Sequence, residues 1–317
     1  MKICMIGCGN HANAVYAPSL IRIKKENPAF EFSACCDMDA KKCGDFKELI
    51  GFEKSYADYV EMLAKEKPDA VVLVVQYTIA AELGIDIIRR GFPVLMEKPI
   101  GGGLEECLSV LKAVEETGVP AQAAFNRRHI PLVREIVSEL KKSSEVINHI
   151  DYKMFRVDRR EDSFYSTAVH GIDLVGYIAG SEYKDVRFDY SGLNILMQCR
   201  FNNEITAQLS FIPASGLLNE RLEIICDNIT YYVRLPIGRG PDFPGNIIKF
   251  EGGSLVYDKS GADISDGDKI NEAYGFYAQL MDFFTTIQNG GAIKHDIKSA
   301  VDTMRIMDCV KRKDLII

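Results

Sequence analysis

Glu97 and Lys98 end an apolar run, "PVLME" (93–97), and are followed at once by Pro99 and three glycines. A carboxylate and an ammonium are costly to bury, and a turn needs neither. A lysine fixed at such a place can polarise a hydroxyl or carbonyl oxygen, or relay its proton, with Glu97 to position it. The competing reading is a surface turn with a loose ion pair. A second constellation is built for binding. "IGCGNHA" carries Gly7-x-Gly9-x-x-Ala12 directly after an apolar run and at the opening of a helical stretch. Gly7 permits the tight turn, Gly9 lets backbone amides approach a pyrophosphate, and Ala12 allows close helix packing. Asn10 and His11 lie inside the same cofactor-binding turn. Asp37 closes a second apolar run, "FEFSACCD" (30–37). A carboxylate there accepts hydrogen bonds from adenosine ribose hydroxyls and repels a 2′-phosphate, so NAD is expected over NADP. The plain alternatives are a glycine-rich turn without a ligand and a solvated aspartate.

These residues need elements that hold them. Apolar runs at 2–6, 30–37, 69–75, 93–97 and 120–125 alternate with helical stretches at 11–25, 57–66, 79–90 and 104–117. The runs lack period two, as in a parallel sheet covered on both faces. In an open parallel sheet ligands lie outside the carboxyl ends of the strands, where Gly7–Ala12, Asp37 and Glu97-Lys98 all fall. Pro99 biases Lys98 toward extended geometry. Beyond about residue 123 the pattern changes. Helices at 129–141 and 166–178 are mixed with strand-like runs at 146–157, 185–190, 193–201, 204–211, 219–226 and 229–235, with hairpin signals at Asn202-Asn203 and Gly252-Gly253. Amphipathic helices at 272–289 and 296–312 close the chain. The expected fold is α/β: a doubly wound Rossmann domain (1–122) and a C-terminal α/β domain (123–317) with a large, mostly antiparallel open sheet, used for substrate binding and oligomerisation.

A chain of 317 residues suits two cores rather than one. With 47% hydrophobic and 26% charged residues the composition is that of a globular protein. A net charge of −7 argues against a nucleic-acid or anionic-membrane partner. No apolar run approaches a membrane span, and the first ten residues reach glycines too early for a signal peptide, so a cytoplasmic location is expected. The nine cysteines are scattered, odd in number and without C-x-x-C pairs. They read as reduced, buried thiols, and with five dispersed histidines no metal site is expected.

Taken together, the chain resembles the glucose–fructose oxidoreductase / inositol dehydrogenase (Gfo/Idh/MocA) family. The likeness rests on Gly7-x-Gly9-x-x-Ala12 with Asp37, on "GFPVLMEKPIG" (91–101), on "NRRHIP" (126–131), on "HGID" (170–173) and on the tail "EAYGFYAQLMDFFTTIQNGG". It implies hydride transfer between a nicotinamide and a carbinol or carbonyl of a sugar, cyclitol or sugar acid. It implies catalytic roles for Lys98 and His170, support from Glu97, Asp173 and Ser166, and a homodimer or homotetramer joined through the second sheet. Two positions depart from the family pattern. Ser166 stands where an Asp commonly precedes the helix His by four residues, and "VQYTIA" (75–80), with Gln76 on the cofactor loop, replaces Thr-Pro-x-x-x-His.

Each substrate-side residue also has a plain reading. His170 is either an active-site base or a core histidine on an apolar helix, and Asp173 either meets substrate or orients a helix end. Arg127 either contacts substrate or forms an interdomain ion pair. Arg156, Arg159 and Arg160, in the charged run 153–165, either line a cleft for an anionic substrate or face solvent. Two functions follow: an NAD(P)-dependent oxidoreductase, or a non-catalytic dinucleotide sensor on the same scaffold. Lys98 and His170 favour the first and Ser166 the second.

Overall fold

The computed structural model describes residues 1–143, 145–160, 165–238, 240–265 and 270–317. They form two compact units, one of Met1–Phe125 with Phe276–Met304, the other of Asn126–Gly275 with Arg305–Ile317. Neither unit is a single stretch of chain.

The first unit is a six-stranded sheet: β1 (Lys2–Ile6), β2 (Glu31–Cys36), β3 (Lys54–Tyr56), β4 (Ala70–Leu73), β5 (Val94–Glu97) and β6 (Ala121–Ala124). The strand order is β3-β2-β1-β4-β5-β6, and every pairing is parallel. This is the doubly wound sheet expected. Five helices connect the strands: α1 (Ala17–Glu26), α2 (Ala40–Ile50), α3 (Tyr59–Glu66), α4 (Tyr77–Arg89) and α5 (Leu104–Thr117). Their ends follow local chemistry. Asp39 and Asp58 cap α2 and α3 by accepting backbone N–H bonds of the first turn. Gly51 and Gly118, both left-handed, end α2 and α5. The residues of β4 and β5 are all buried, which accounts for their unbroken apolar runs. Helix Phe276–Gln288 belongs to this unit and packs on α1.

Two elements of this unit, α2 and β3, were not anticipated from the sequence. The three residues of β3 are exposed or half-buried and carry no apolar pattern. In α2 the buried face is Cys43, Phe46 and Ile50, interrupted by Gly44.

The second unit opens with a 3₁₀ turn, Asn126–His129, and α6 (Pro131–Lys142). An eight-stranded sheet follows: β7 (Ile147–Phe155), β8 (Tyr183–Ser191), β9 (Asn194–Phe201), β10 (Thr206–Ile212), β11 (Asn219–Cys226), β12 (Ile229–Arg234), β13 (Asn246–Glu251) and β14 (Ser254–Ser260). The order is β14-β13-β12-β11-β7-β10-β9-β8, antiparallel except for β7 with β10, as the mostly antiparallel expectation requires. One face buries Tyr152, Met154, Leu209, Phe211, Leu222, Ile224 and Tyr231. Helix α7 (Tyr165–Ala179) covers it, coming so close at Gly171 that a Cβ would lie 2.3 Å from the Tyr152 ring. Gly252-Gly253 makes the β13–β14 turn with both φ angles positive. The β9–β10 connection is longer than the two-residue turn expected. Phe201 and Ile205 pair, and Glu204 takes the left-handed conformation at φ 67°. The last residues, 315–317, bond to β8 and cover the edge of this sheet. Among the described residues no helix is long and apolar enough to cross a membrane.

Candidate functional site

In the first unit the glycine turn, Asp37 and the Glu-Lys pair all stand at the carboxyl edge of the sheet. Gly7 has φ +96°, and a Cβ on it would sit 2.0 Å from the Val74 carbonyl oxygen. Only glycine passes between the ends of β1 and β4 there. Its N–H donates to the Cys36 carbonyl at 2.8 Å. Gly9 differs: nothing lies within 4 Å of where its Cβ would be. Backbone is thus bare on the open side of the turn, the surface a pyrophosphate needs. Asn13 donates to the carbonyls of Cys8 and Gly9 at 2.9 and 3.0 Å and keeps the turn closed. The Asp37 carboxylate accepts from the Cys8 N–H at 2.8 Å and from the Asp39 N–H at 2.9 Å. Each of its oxygens retains capacity for a further hydrogen bond. Ala12 is fully buried, and Asn10, His11 and Gln76, the last at the N-cap of α4, are exposed. The bare Gly9 backbone and the acid at the end of β2 fit a dinucleotide.

Glu97 is buried at the end of β5 yet ionised. Burial opposes its charge. A hydrogen bond from His11 and the charge of Lys98 outweigh that and hold the carboxyl below its ordinary range. Its Oε1 lies 3.5 Å from His11 Nε2 and 3.7 Å from Lys98 Nζ. Its Oε2 accepts the Tyr16 hydroxyl. Tyr16 sits on a π-helical turn, Ala12–Tyr16, that precedes α1, and packs edge-on against Phe276 at 5.4 Å. Burial and the Glu97 charge push its phenol well above the ordinary range, so it is a permanent donor. Lys98 is thus held against a carboxylate whose other oxygen is already engaged, and its side chain is only 12% exposed. Tyr16 was not singled out from the sequence. It lies 81 residues from Glu97, and an apolar-helix pattern hides its hydroxyl.

In the second unit His170 and Asp173 are buried on α7, and Ser166, half-buried, lies one turn before His170 on the same helix. The Asp173 carboxylate is bound by Arg128 through both Nε, at 3.0 Å, and Nη2. Arg127 and Arg156 converge on Glu220, which is 0% exposed on β11. Arg156 also donates to the carbonyls of Phe155 and Asn219. The structure thus places Arg127 and Arg156 together on an internal carboxylate. Burial opposes ionisation of Glu220, but the two guanidinium charges prevail and bring its pKa to about 2. A glutamate in register with inward Leu222 and Ile224 was the available signal for this cluster. Arg160 pairs with Asp158 on the exterior. Residues 161–164 of the charged run lie outside the described residues.

A parallel sheet with a bare-backbone glycine turn after β1 and an acid after β2 defines a dinucleotide-binding Rossmann protein. Residues 1–125 match the profile of the Gfo/Idh/MocA oxidoreductase family, NAD-binding Rossmann fold. It is 28% identical over 147 residues to scyllo-inositol 2-dehydrogenase (NAD(+)) of Bacillus subtilis, a match covering 43% of each chain. It is 23% identical over 255 residues to 4-carboxy-2-hydroxymuconate-6-semialdehyde dehydrogenase of Sphingobium, covering 74% of this chain and 79% of that one. The match to the first of these relatives thus spans less than half its length. A dehydrogenase structure from Chromobacterium violaceum shares the fold over 99% of this chain and 95% of its own, with TM-score 0.84 and 20% identity.

Proposed function

We propose that this protein is an NAD-dependent oxidoreductase that interconverts a carbinol and a carbonyl on a sugar, cyclitol or sugar-acid-like substrate. The observation that carries the reading is Lys98, held by an ionised, buried Glu97 on the same sheet edge as the glycine turn. The nicotinamide, when bound, supplies the hydride acceptor. Gly7, Gly9, Asn10, His11 and Ala12 form the turn that takes the pyrophosphate, Asp37 takes the ribose hydroxyls, and Gln76 lies along the cofactor. Lys98 supplies a fixed positive charge beside the substrate oxygen as that oxygen loses its proton. His170 accepts the proton, as the one imidazole on the substrate-domain helix α7. Glu97 positions Lys98, Arg128 holds Asp173 rigid on the His170 helix, and Ser166 plays the smaller part. Turnover is tested by presenting NAD and a panel of sugars, cyclitols and sugar acids and following NADH. At least one substrate is expected to react. Tight NAD binding with no turnover across the panel would give the dinucleotide-sensor reading instead.

Cofactor choice is tested at the end of β2. Asp37→Ser with Met38→Arg removes a repulsive charge and adds a phosphate partner on a side chain that is 89% exposed. Preference is expected to move toward NADP in calorimetry. A wild-type protein that already binds NADP more tightly would refute the assignment to NAD.

The two glycines are expected to separate folding from binding. Gly7→Ala meets Val74 and a left-handed φ, so it should lower the melting temperature sharply. Gly9→Ala meets nothing in the protein and should melt like wild type, yet bind NAD about tenfold more weakly, a loss of about 1.4 kcal/mol. Unchanged NAD affinity in Gly9→Ala would mean that the pyrophosphate does not run there.

We also propose a homodimer or homotetramer joined through the open face of the eight-stranded sheet. Leu196, Ile225 and Tyr232 are exposed there, and a groove of about 560 Å³ is lined by Leu196, Gln198, Gln208 and Ile316. Sedimentation should show more than one copy, and a 35.4 kDa species at micromolar concentration would reject the assembly.

A further inference from the structure

Three of the nine cysteines, distant in sequence, meet in the first unit. Cys8 lies in the glycine turn, Cys35 in β2 and Cys43 in α2. Their sulfurs all lie within 4.8 Å of one another, and those of Cys35 and Cys43 are 3.7 Å apart. All three are buried, with relative exposures of 0%, 0% and 2%. Small apolar residues would fill this volume equally well, and thiols scattered through a core have no reason to converge. A ring of three thiolates around one ion does require such convergence. With metal–sulfur bonds of about 2.3 Å, sulfurs in a planar trigonal site stand about 4.0 Å apart, and along a tetrahedral edge about 3.8 Å. The Cys35–Cys43 separation already has that value.

We propose that Cys8, Cys35 and Cys43 form a three-thiolate site for a soft, thiophilic d¹⁰ cation, set beneath the dinucleotide turn. Soft sulfur ligands select such ions over magnesium or calcium, which take oxygen. On binding, three S–H bonds break, three sulfur–metal bonds form and three protons leave to solvent. Around a divalent ion the group carries one net negative charge, and the Lys47 ammonium lies within electrostatic reach of Cys35. The ion would tie the turn after β1 to β2 and α2. Cys8 stands between Gly7 and Gly9, and its N–H already donates to Asp37, so the site adjoins both the turn and the acid proposed to hold the cofactor.

The test uses the full-length, reduced chain under anaerobic conditions with cadmium(II) as probe. It is titrated into the native protein and, because the sulfurs are buried, also added during refolding. In at least one of the two experiments one equivalent should bind, with a thiolate-to-cadmium absorption band. The ion should also raise the melting temperature. Cys35→Ala, which keeps the volume apolar, should abolish the band and the thermal shift, whereas Cys226→Ala should retain both. Circular dichroism of each variant checks that it is folded. If Cys35→Ala does not fold, Cys43→Ala and Cys8→Ala carry the same expectation. No stoichiometric uptake in either experiment, or a band that survives these substitutions, would overturn the proposal.

Discussion

Lys98→Met is expected to lower kcat by about 10²- to 10³-fold, the cost of removing one fixed charge from beside a developing oxyanion. Methionine keeps most of the side-chain volume, so the loss is one of charge. NAD affinity should change little, because the glycine turn and Asp37 do not depend on this ammonium. The fall should therefore appear equally in kcat and kcat/KM. Glu97 is held ionised partly by Lys98, so the variant also removes one support of that buried carboxylate. His11 and Tyr16 remain to bind it, which is why the protein should still fold. Kinetics on a reacting substrate and calorimetry with NAD check the two halves of this expectation. A variant with wild-type turnover would remove Lys98 from the chemistry.

Glu220→Gln is expected to be the most destabilising single change in the second unit. It leaves the Arg127 and Arg156 guanidiniums buried without an opposing charge. Breaking a buried ion pair by removing one partner costs about 3–5 kcal/mol. Urea denaturation of wild type and variant gives the difference. The same group sets an acid limit. Its pKa in the folded protein, about 2, is depressed below the ordinary value of 4.5, so the folded state binds this proton more weakly than the unfolded one. Its contribution is therefore complete above about pH 4.5 and is lost as pH falls toward 2. Glu220→Gln should flatten that part of the stability–pH curve. A variant within about 0.5 kcal/mol of wild type would show that the cluster is solvated.

The nucleotide edge was legible in the sequence for a physical reason. A strand buried on both faces must be apolar throughout, so β1, β2, β4 and β5 stand out, and residues that break the pattern at strand ends mark the carboxyl edge of the sheet. Gly7, Asp37 and Glu97-Lys98 are such residues. What the sequence hid depends on contacts between distant segments. Tyr16 reads as one more large residue of a helix until Glu97 is beside it. Arg127 reads as a substrate contact or an interdomain ion pair, and Arg156 as a substrate or solvent-facing arginine, until β11 brings Glu220 between them. Helix α2 was hidden because its buried face begins with a cysteine and is interrupted by Gly44. The membership of helix Phe276–Gln288 in the first unit has no local signature, since an amphipathic helix does not name its partner.

The most direct test follows the hydrogen itself. A substrate that reacts in the panel is prepared with deuterium on its carbinol carbon and incubated with NAD and the enzyme in ordinary water. If Lys98 and His170 serve hydride transfer, the deuterium will be found on C4 of the nicotinamide, at matched times far less of it with Lys98→Met, and none in the solvent. Deuterium lost to water, with unlabelled NADH or none formed, would contradict hydride transfer as the reaction of this protein.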